Sequence, residues 1–568
     1  MITERVDDIP LILAELQKSN LAELLTQQMP DHGNWKGADS GTVAVIFLTY
    51  VLSEADHRTS YVEEWLSQRI HTVRCCTGVP TLKSLDLTDD RLGILLDKYS
   101  DDEQWNKFET AHNQRLIQVY DLDLANNPIR LDAMITQSHR DAEGDFQIGY
   151  SKQHRADLPQ LKTMLATLDP FAVPLCSLTV AGNEADDGLY FPLIEELHKT
   201  LCIQSQLFVG DSKMGSIDNR ASIHSLGHYY LTPLSKIQCN LAQIEKYLSV
   251  KPAKLKILQT KDKTDNTTIK AKAFELTESV SNADGSLVWD ERRLIVYSPS
   301  YGESQAKKLD KKLLKAQAEL DVLLEPKQGR RYPKTYEEAQ KSANEIIKSN
   351  KVTGLIDVQI TEIKTEKHIR AYGSKPAETR IITKFELRYS INETVLQKRI
   401  DLMGWRVYAC NAPQEKLSTL DAVQCYRNEY RIEHKFDELL NRITALMPVY
   451  LQKPNRIKAL IRLLLLALKY VSLTEMQVRT KLADTQQELK ELYPGNPGRA
   501  TNRPTTKMLL KAFEYLTLVI IPVGDQIIVK LTDLKPIQRK ILDLLDLEHN
   551  IYLKLEQIVF LPDNLSET

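Results

Sequence analysis

The run PIRLDAMITQ, residues 128–137, decides the fold. It reads as a strand, and an aspartate, Asp132, stands in its middle, where burial without compensation is costly. Two more strand-like runs follow with polar connections, FQIGYSK (146–152) and VPLCSLTVAG (173–182). DGLYFPLIEELHKTL (187–201) is a helix opened by acidic residues, and QLFVGDS (206–212) is a strand that ends at Asp211. SIDNRASIHSLG (216–227) is a helix stopped by Gly227, and HYYLTPLS (228–235) is a fifth strand. The order β-β-β-α-β-α-β predicts a mixed sheet covered by helices.

Outward from this core, residues 1–115 have helical spacing throughout, with Thr88 and Ser100 as expected N-caps. Downstream, alternating runs such as KAKAFELTES (270–279), SLVWDERRLIVYSP (286–299) and GLIDVQITEIK (354–364) predict a β-rich insertion. It carries a helical pair at Lys307–Leu324 and Tyr336–Ser349. Helices return at Leu417–Leu446 and Asn455–Lys490. A linker rich in Pro, Gly and Asn (491–505) precedes a helix at Thr505–Leu518, a hairpin LVIIPVGDQIIVKL (518–531) and a helix at Pro536–Leu545. The expected domains are a helical region at 1–115 and the first part of the mixed-sheet core at 125–236. An insertion at 237–412, closing core helices at 413–480 and a C-terminal helical region with a hairpin at 481–568 follow.

The chain has 568 residues, which suggests three or four domains. Lys and Arg total 74 against 76 Asp and Glu, a net of −2, so any basic surface must be local. Residues 1–110 carry 10 basic and 19 acidic side chains, and residues 451–520 carry 12 and 5. The second block can engage phosphates, although a solvated helix face is the commoner use of such charge. Seven cysteines form no CxxC pair or metal spacing. The acidic start MITERVDDIP lacks a signal-peptide pattern, and the longest apolar stretches, Gly41–Leu52 and Ala459–Leu468, are short for a membrane span. The expected compartment is the cytoplasm.

No phosphate-binding G-x-x-x-x-G-K-[ST], dinucleotide G-x-G-x-x-G, H-E-x-x-H or G-x-S-x-G occurs, which removes support for a nucleotide motor or an elbow hydrolase. Three acids stand out: Asp132 within the first strand, Asp211 at the end of the fourth, and Glu433 on YRNEYRIEHKFDELL (426–440). Carboxylates from two strands and a helix can hold hard cations, and two such ions suit phosphodiester chemistry. Each acid alone has a plainer reading: a strand-edge residue, a helix N-cap and an exposed helix acid.

The chain resembles DDE transposases, which have a ribonuclease-H-like core, and in particular bacterial insertion-sequence transposases of family four, subgroup sixteen-thirty-four. The stretches that carry the resemblance include LTYVLSEADHR (48–58), QIGYSKQHRADLPQLKTMLATLD (147–169), AGNEADDGLYFP (181–192) and FVGDSKMGS (208–216). GWRVYACNAP (404–413), YRNEYRIEH (426–434), YLQKPNRIKALIRLL (450–464) and GNPGRATNRPT (495–505) complete the main set. The resemblance implies an α/β fold: a ribonuclease-H-like mixed sheet with a β-rich insertion, plus helical N- and C-terminal regions. It also implies Asp132, Asp211 and Glu433 as catalytic metal ligands. The family's helical signature places Tyr426 seven residues before Glu433, on a shared helix face, but its Arg position holds Glu429 and its Lys position Leu440. Arg431, Lys435 and Arg442 are the replacement cations within reach in sequence, though helical phase does not bring all three to the Glu433 face.

The implied activity is cleavage of element ends and strand transfer with two Mg²⁺, for which Mn²⁺ substitutes. The implied partners are double-stranded DNA, as element ends and target, and a second copy in a synaptic homodimer. Lys152, His154, Arg155 and Lys213 are candidate DNA contacts, with ordinary surface charge as the plainer reading. Trp289 and Trp405 are either core residues or platforms for a flipped base. Two other functions keep the same sequence features: a ribonuclease-H-like nuclease without strand transfer, and a catalytically silent, transposase-derived DNA-binding protein.

Overall fold

The structure, a computed structural model, describes residues 1–150, 155–201, 204–261, 267–325, 333–369, 378–524 and 526–558. They divide into two compact units, one of residues 1–232, 281–289 and 425–568, the other of residues 233–280 and 290–424. In chain order the elements used below begin with α1 (Asp102–Tyr120), β1 (Ile129–Gln137), β2 (Gln160–Leu168) and β3 (Val173–Ala181). Then come α2 (Tyr190–Leu201), β4 (Leu207–Gly210), α3 (Ile217–Ser225) and β5 (Tyr229–Pro233). The second unit adds β6 (Lys256–Lys261), β7 (Thr267–Ser281), β8 (Val288–Tyr297), α4 (Pro299–Asp321) and α5 (Tyr336–Ser349). It continues with β9 (Ile356–Ile369), β10 (Glu378–Ile391) and β11 (Trp405–Cys410). Last are α6 (Thr419–Arg427), α7 (Tyr430–Asn441) and α8 (Pro454–Asp484).

In the first unit the strands run β3-β2-β1-β4-β5. β1, β2 and β3 pair antiparallel, whereas β4 and β5 join parallel to β1 and to each other. A parallel neighbour needs a crossover, and α2 and α3 supply the helices of those crossovers. The second strand differs from the expected one. The described part of FQIGYSK, residues 146–150, makes isolated bridges, Glu143 to Phe146 and Gln147 to Gln160, and QLKTMLATL takes the place. Its nine residues are all buried, so it has no apolar–polar alternation to betray it. Lys162 within it is accommodated by an ion pair to Asp186 at 2.6 Å.

The long helix α8 is buried along nearly all of Ile457–Glu475 and packs on β3. Its polar interruptions are satisfied internally: Arg462 donates to the Tyr99 carbonyl at 2.9 Å and Lys469 to Asn113 Oδ1 at 2.8 Å. Among the described residues no helix is long and apolar enough to cross a membrane. Thr88 caps the helix Asp89–Tyr99 as expected, but α1 is capped by Asp101, not Ser100, through the Gln104 N–H. The ends of the chain share a sheet: Ile2–Arg5 pairs with Thr517–Val523, which pairs with Gln526–Leu531. The expected helix at Thr505–Leu518 is confined to Thr506–Lys511, because residues from Thr517 onward join that sheet.

Three cations of the basic block at 451–520 are neutralised by acids of the N-terminal region. Arg456 pairs with Asp97 at 2.7 Å, Lys458 with Asp102 at 2.7 Å, and Arg462 with Asp102. Arg479 pairs with Glu475 at 3.1 Å, and Lys481 with Asp546. With Lys469 buried as well, half of the block's cations face protein rather than solvent phosphates.

The second unit has strands in the order β11-β8-β7-β6, with β8/β11 and β6/β7 antiparallel. β9 and β10 form a separate two-stranded ribbon of 14 residues each. Leu309, Leu313, Ala316 and Leu320 of α4 pack with Ala343 and Ile347 of α5, against Val358, Ile360, Leu387 and Tyr389 of the ribbon. The expected β-rich stretch with a helical pair is thus a strand group plus a helix–helix–ribbon layer.

Candidate active site

β1 and β4 run parallel, with Arg130 opposite Val209 and Leu131 opposite Gly210. Asp132 and Asp211 are the residues that directly follow this last pair on the two neighbouring chain segments. β1 lies between β2 and β4, so Asp132 is a central residue, not an edge one. Its Oδ1 accepts from the Ala133 N–H at 2.7 Å. Asp211 is not a helix cap either, since Ser216 caps α3.

Several contacts hold Asp211 in place. Thr232 Oγ1 on β5 donates to its carbonyl at 2.7 Å, and the Lys213 N–H donates to Oδ1 at 2.8 Å. The Tyr190 hydroxyl, at the start of α2, donates to the same Oδ1 at 2.7 Å. Gly210 makes room for that approach: a Cβ there would lie 2.7 Å from Met214 Sδ and 3.1 Å from Tyr190 Cε1. Burial, then the Asp211 and Asp132 carboxylates, push the Tyr190 hydroxyl well above its ordinary pKa, so it stays a donor. Both aspartates therefore act on one buried tyrosine.

Arg130, two residues before Asp132, lies on the same face of the sheet. It grips Asp169 through Nε at 3.0 Å and Nη2 at 2.8 Å, and Nη2 also donates to the Cys425 carbonyl at the end of α6. Arg431 on α7 reaches Asp169 at 3.1 Å. The triad Arg130–Asp169–Arg431 thus fastens the α6–α7 joint to the face that carries Asp132. Neither Arg130 nor Asp169 was marked by sequence reading; the one available signal was Arg130's period-2 relation to Asp132.

The joint departs from the expected single helix. α6 stops at Arg427 and α7 starts at Tyr430, with Glu429 N–H bonding Tyr426 O at 3.1 Å and Ile432 N–H bonding Glu429 O at 3.2 Å. These three-residue closures tighten the turn and change its phase. Tyr426 is consequently buried while Glu433, in the first turn of α7, is exposed, so the two do not share one helix face. Glu429 is half-buried and accepts from the Tyr426 hydroxyl. Burial chiefly, then the Glu433 and Asp211 carboxylates, raise its pKa, so Glu429 belongs to the same acidic neighbourhood.

The remaining expected residues fall as follows. Lys213 is exposed beside Asp211. Arg155 is exposed and paired with Asp157 at 2.7 Å. Lys152 and His154 lie outside the described residues. The replacement cations are engaged structurally: Arg431 with Asp169, Lys435 with Glu438 at 2.7 Å, and Arg442 with Asp437 at 2.5 Å. Trp289 is a core residue that donates to the Tyr230 hydroxyl at 2.7 Å and stacks on His224. Trp405 packs with Phe274 and Tyr297 in the second unit. Among the described residues no group of three or more His, Cys, Asp or Glu is close enough to hold a metal ion. The donor chemistry nonetheless fits a hard cation: Asp132 and Asp211 offer carboxylate oxygens just past the paired residues Leu131 and Gly210, with Glu429 in the joint and Glu433 in the first turn of α7.

The Transposase DDE domain family matches residues 129–469, from the first residue of β1 into α8 and more than half of the chain. The chain belongs to this DDE transposase family. The family match takes in the strands of Asp132 and Asp211 and both helices of the joint. A solved structure also aligns with the DDE chain, a piggyBac transposase in a synaptic complex with hairpin DNA, determined by cryo-EM. Identity is 11% over 83% of this chain and 79% of that one, at a TM-score of 0.22, a likeness on which nothing here rests. No curated protein matches the chain.

Proposed function

We propose that this DDE transposase cleaves the ends of its element and transfers the freed 3′-hydroxyls to target DNA, with Asp132, Asp211 and Glu433 as metal ligands. The observation that carries the reading is that Asp132 and Asp211 directly follow the paired residues Leu131 and Gly210 and both act on Tyr190, inside the family-matched region. The strand order, three antiparallel strands followed by two parallel ones, supports a ribonuclease-H-like core. The stretches resembling insertion-sequence transposases of family four, subgroup sixteen-thirty-four, support that placement. Double-stranded DNA is the partner, a synaptic homodimer the working form, and the cytoplasm the compartment. Tyr426, Arg155 and Lys213, with Lys152 and His154, are proposed DNA contacts, and residues 1–115 are proposed to help hold the element end.

Two Mg²⁺ or Mn²⁺ at the carboxylates would supply activation of water and charge neutralisation at the leaving oxygen. The chain's own groups do the positioning. Tyr190 and the Lys213 N–H orient Asp211, and Arg130 with Asp169 holds the glutamate-bearing joint to the strand of Asp132. Glu429 adds a carboxylate where the family signature has arginine, so phosphate charge must be met by cations from other segments.

The test is incubation of the full chain with a plasmid bearing the sequences that flank its gene, with Mg²⁺ or Mn²⁺. Metal-dependent end cleavage and joined products are expected. Asp132→Ala, Asp211→Ala and Glu433→Ala should each abolish cleavage and leave DNA binding nearly intact. A variant that cleaves at the wild-type rate removes its residue from the site. Cleavage without joined products would favour the nuclease, and binding without cleavage the silent DNA-binding protein.

A further inference from the structure

The net positive charge of this chain lies in one unit. By sequence the second unit carries 34 basic and 24 acidic residues, a net of +10. The rest carries 74 − 34 = 40 basic and 76 − 24 = 52 acidic, a net of −12. Within the basic unit, α4 separates its charges by face. Leu309, Leu313, Ala316 and Leu320 are buried on one side. Lys307, Lys308, Lys311, Lys312 and Lys315 all stand exposed on the other. The spacing 308, 311, 312, 315 is i, i+3, i+4, i+7, so four of these ammonium groups are direct helix neighbours.

Like charges at that spacing repel and weaken a helix unless something neutralises them. Little in the protein does so. Among the described residues, Lys315 reaches Glu319 at 3.8 Å, while Lys307, Lys308, Lys311 and Lys312 have no ion pair. Contrast the basic block of α8, whose cations are spent on Asp97, Asp102, Glu475 and Asp546. A row of lysines of which four are without an ion pair among the described residues fits a polyanion of regular charge spacing. From Lys307 to Lys315 the helix rises about 12 Å, the axial length over which one DNA strand presents roughly three to four phosphates.

We propose that the lysine face of α4 is a docking surface for the phosphate backbone of duplex DNA. The inference rests on the transposase reading and adds a partner surface remote in sequence from all the proposed metal ligands. The contact is electrostatic and independent of base sequence, so it anchors DNA without choosing it.

The test uses the full chain and a linear duplex of random sequence, with affinity measured across a salt series. Lys308→Gln, Lys311→Gln, Lys312→Gln and Lys315→Gln are combined in one variant; glutamine is a good helix former, and like-charge repulsion is removed. The expected result is at least about a tenfold loss of affinity at low salt and a salt slope shallower by roughly 2 to 4, at about 0.9 per phosphate contact. The same four positions changed to arginine should bind as wild type. A charge-matched control, Lys341→Gln, Lys348→Gln, Lys351→Gln and Lys398→Gln, removes four other exposed lysines of the same unit and should cost far less. An unchanged slope and affinity in the α4 variant, or an equal loss in the control, overturns the surface. If the wild-type chain shows no salt-dependent DNA binding, the transposase reading fails with it. If the wild type binds and cleaves while the α4 variant matches it, only this surface fails.

Discussion

Asp169→Asn tests how the site is held together. The substitution keeps the size of the side chain and removes one charge from a buried cluster. Arg130 and Asp169 have side chains only 2% and 4% exposed, and Asp169 also receives Arg431. Removing one partner of a buried pair leaves the other charge uncompensated, which costs about 3–5 kcal/mol. Unfolding entropy of about 2.1 cal/mol/K per residue, over a unit of about 385 residues, makes 1 kcal/mol worth a little over 1 °C. The melting temperature of the first unit should therefore drop by roughly 4–6 °C. Arg431, with its side chain 24% exposed, can turn to water, so Arg431→Gln should cost below about 1 kcal/mol. Replacing the inner pair by apolar residues, Arg130→Met with Asp169→Leu, should recover most of the stability, because the buried charge is then gone from both sides. Calorimetry of the four proteins reads the stabilities, and the plasmid assay reads end cleavage. Cleavage should fall in Asp169→Asn, which loosens the α6–α7 joint, and stay low in the apolar double variant, which also removes the Arg130 bond to the Cys425 carbonyl. An Asp169→Asn protein that melts with the wild type, or an apolar pair that cleaves normally, would refute the fastening role.

Three further outcomes follow from the same contacts. Tyr190→Phe removes a hydrogen bond to the Asp211 carboxylate; such bonds contribute about 1.5–3 kcal/mol, so cleavage should fall roughly ten- to a hundredfold with DNA affinity unchanged. Burial pushes the Asp8 carboxyl up to about 7 from 3.8, with Ser53 opposing the shift and Asp7 adding to it. A raised carboxyl contributes stability that is complete below the unfolded value and lost as pH rises through about 7, by at most about 4 kcal/mol. Asp8→Asn should abolish that loss, so urea midpoints at pH 5 and pH 8 should converge in the variant, and equal pH dependence in both proteins would count against the buried charge. Gly210→Ala should lower cleavage more than overall stability, because the added methyl meets Met214 and the Tyr190 ring; a fully active Gly210→Ala protein would show that Tyr190 need not approach so closely.

Local pattern alone carried much of the core. Alternation and turn residues located β1, β3, β4 and β5, and the positions of Asp132 and Asp211 on them, because a half-buried or strand-terminal residue is legible within a few neighbours. Pattern missed β2, whose two buried faces erase alternation, and marked FQIGYSK in its place. It also ran one helix through 417–446, since helical period cannot register a two-residue tightening at Asn428 and Glu429. Pairing in space was invisible for the same reason. Arg130 and Asp169 look in sequence like ordinary surface charges, and only packing makes them a buried pair that Arg431 joins. The basic run at 451–520 had the composition of a phosphate-binding block, yet tertiary structure gives half of its cations to protein partners, most of them acids. The lysines of α4 were plain in the same text, but net charge does not distinguish a paired cation from an unpaired one. That difference depends on which side chains the fold brings within about 4 Å, a distance at which Coulomb attraction outside bulk water decides the pairing.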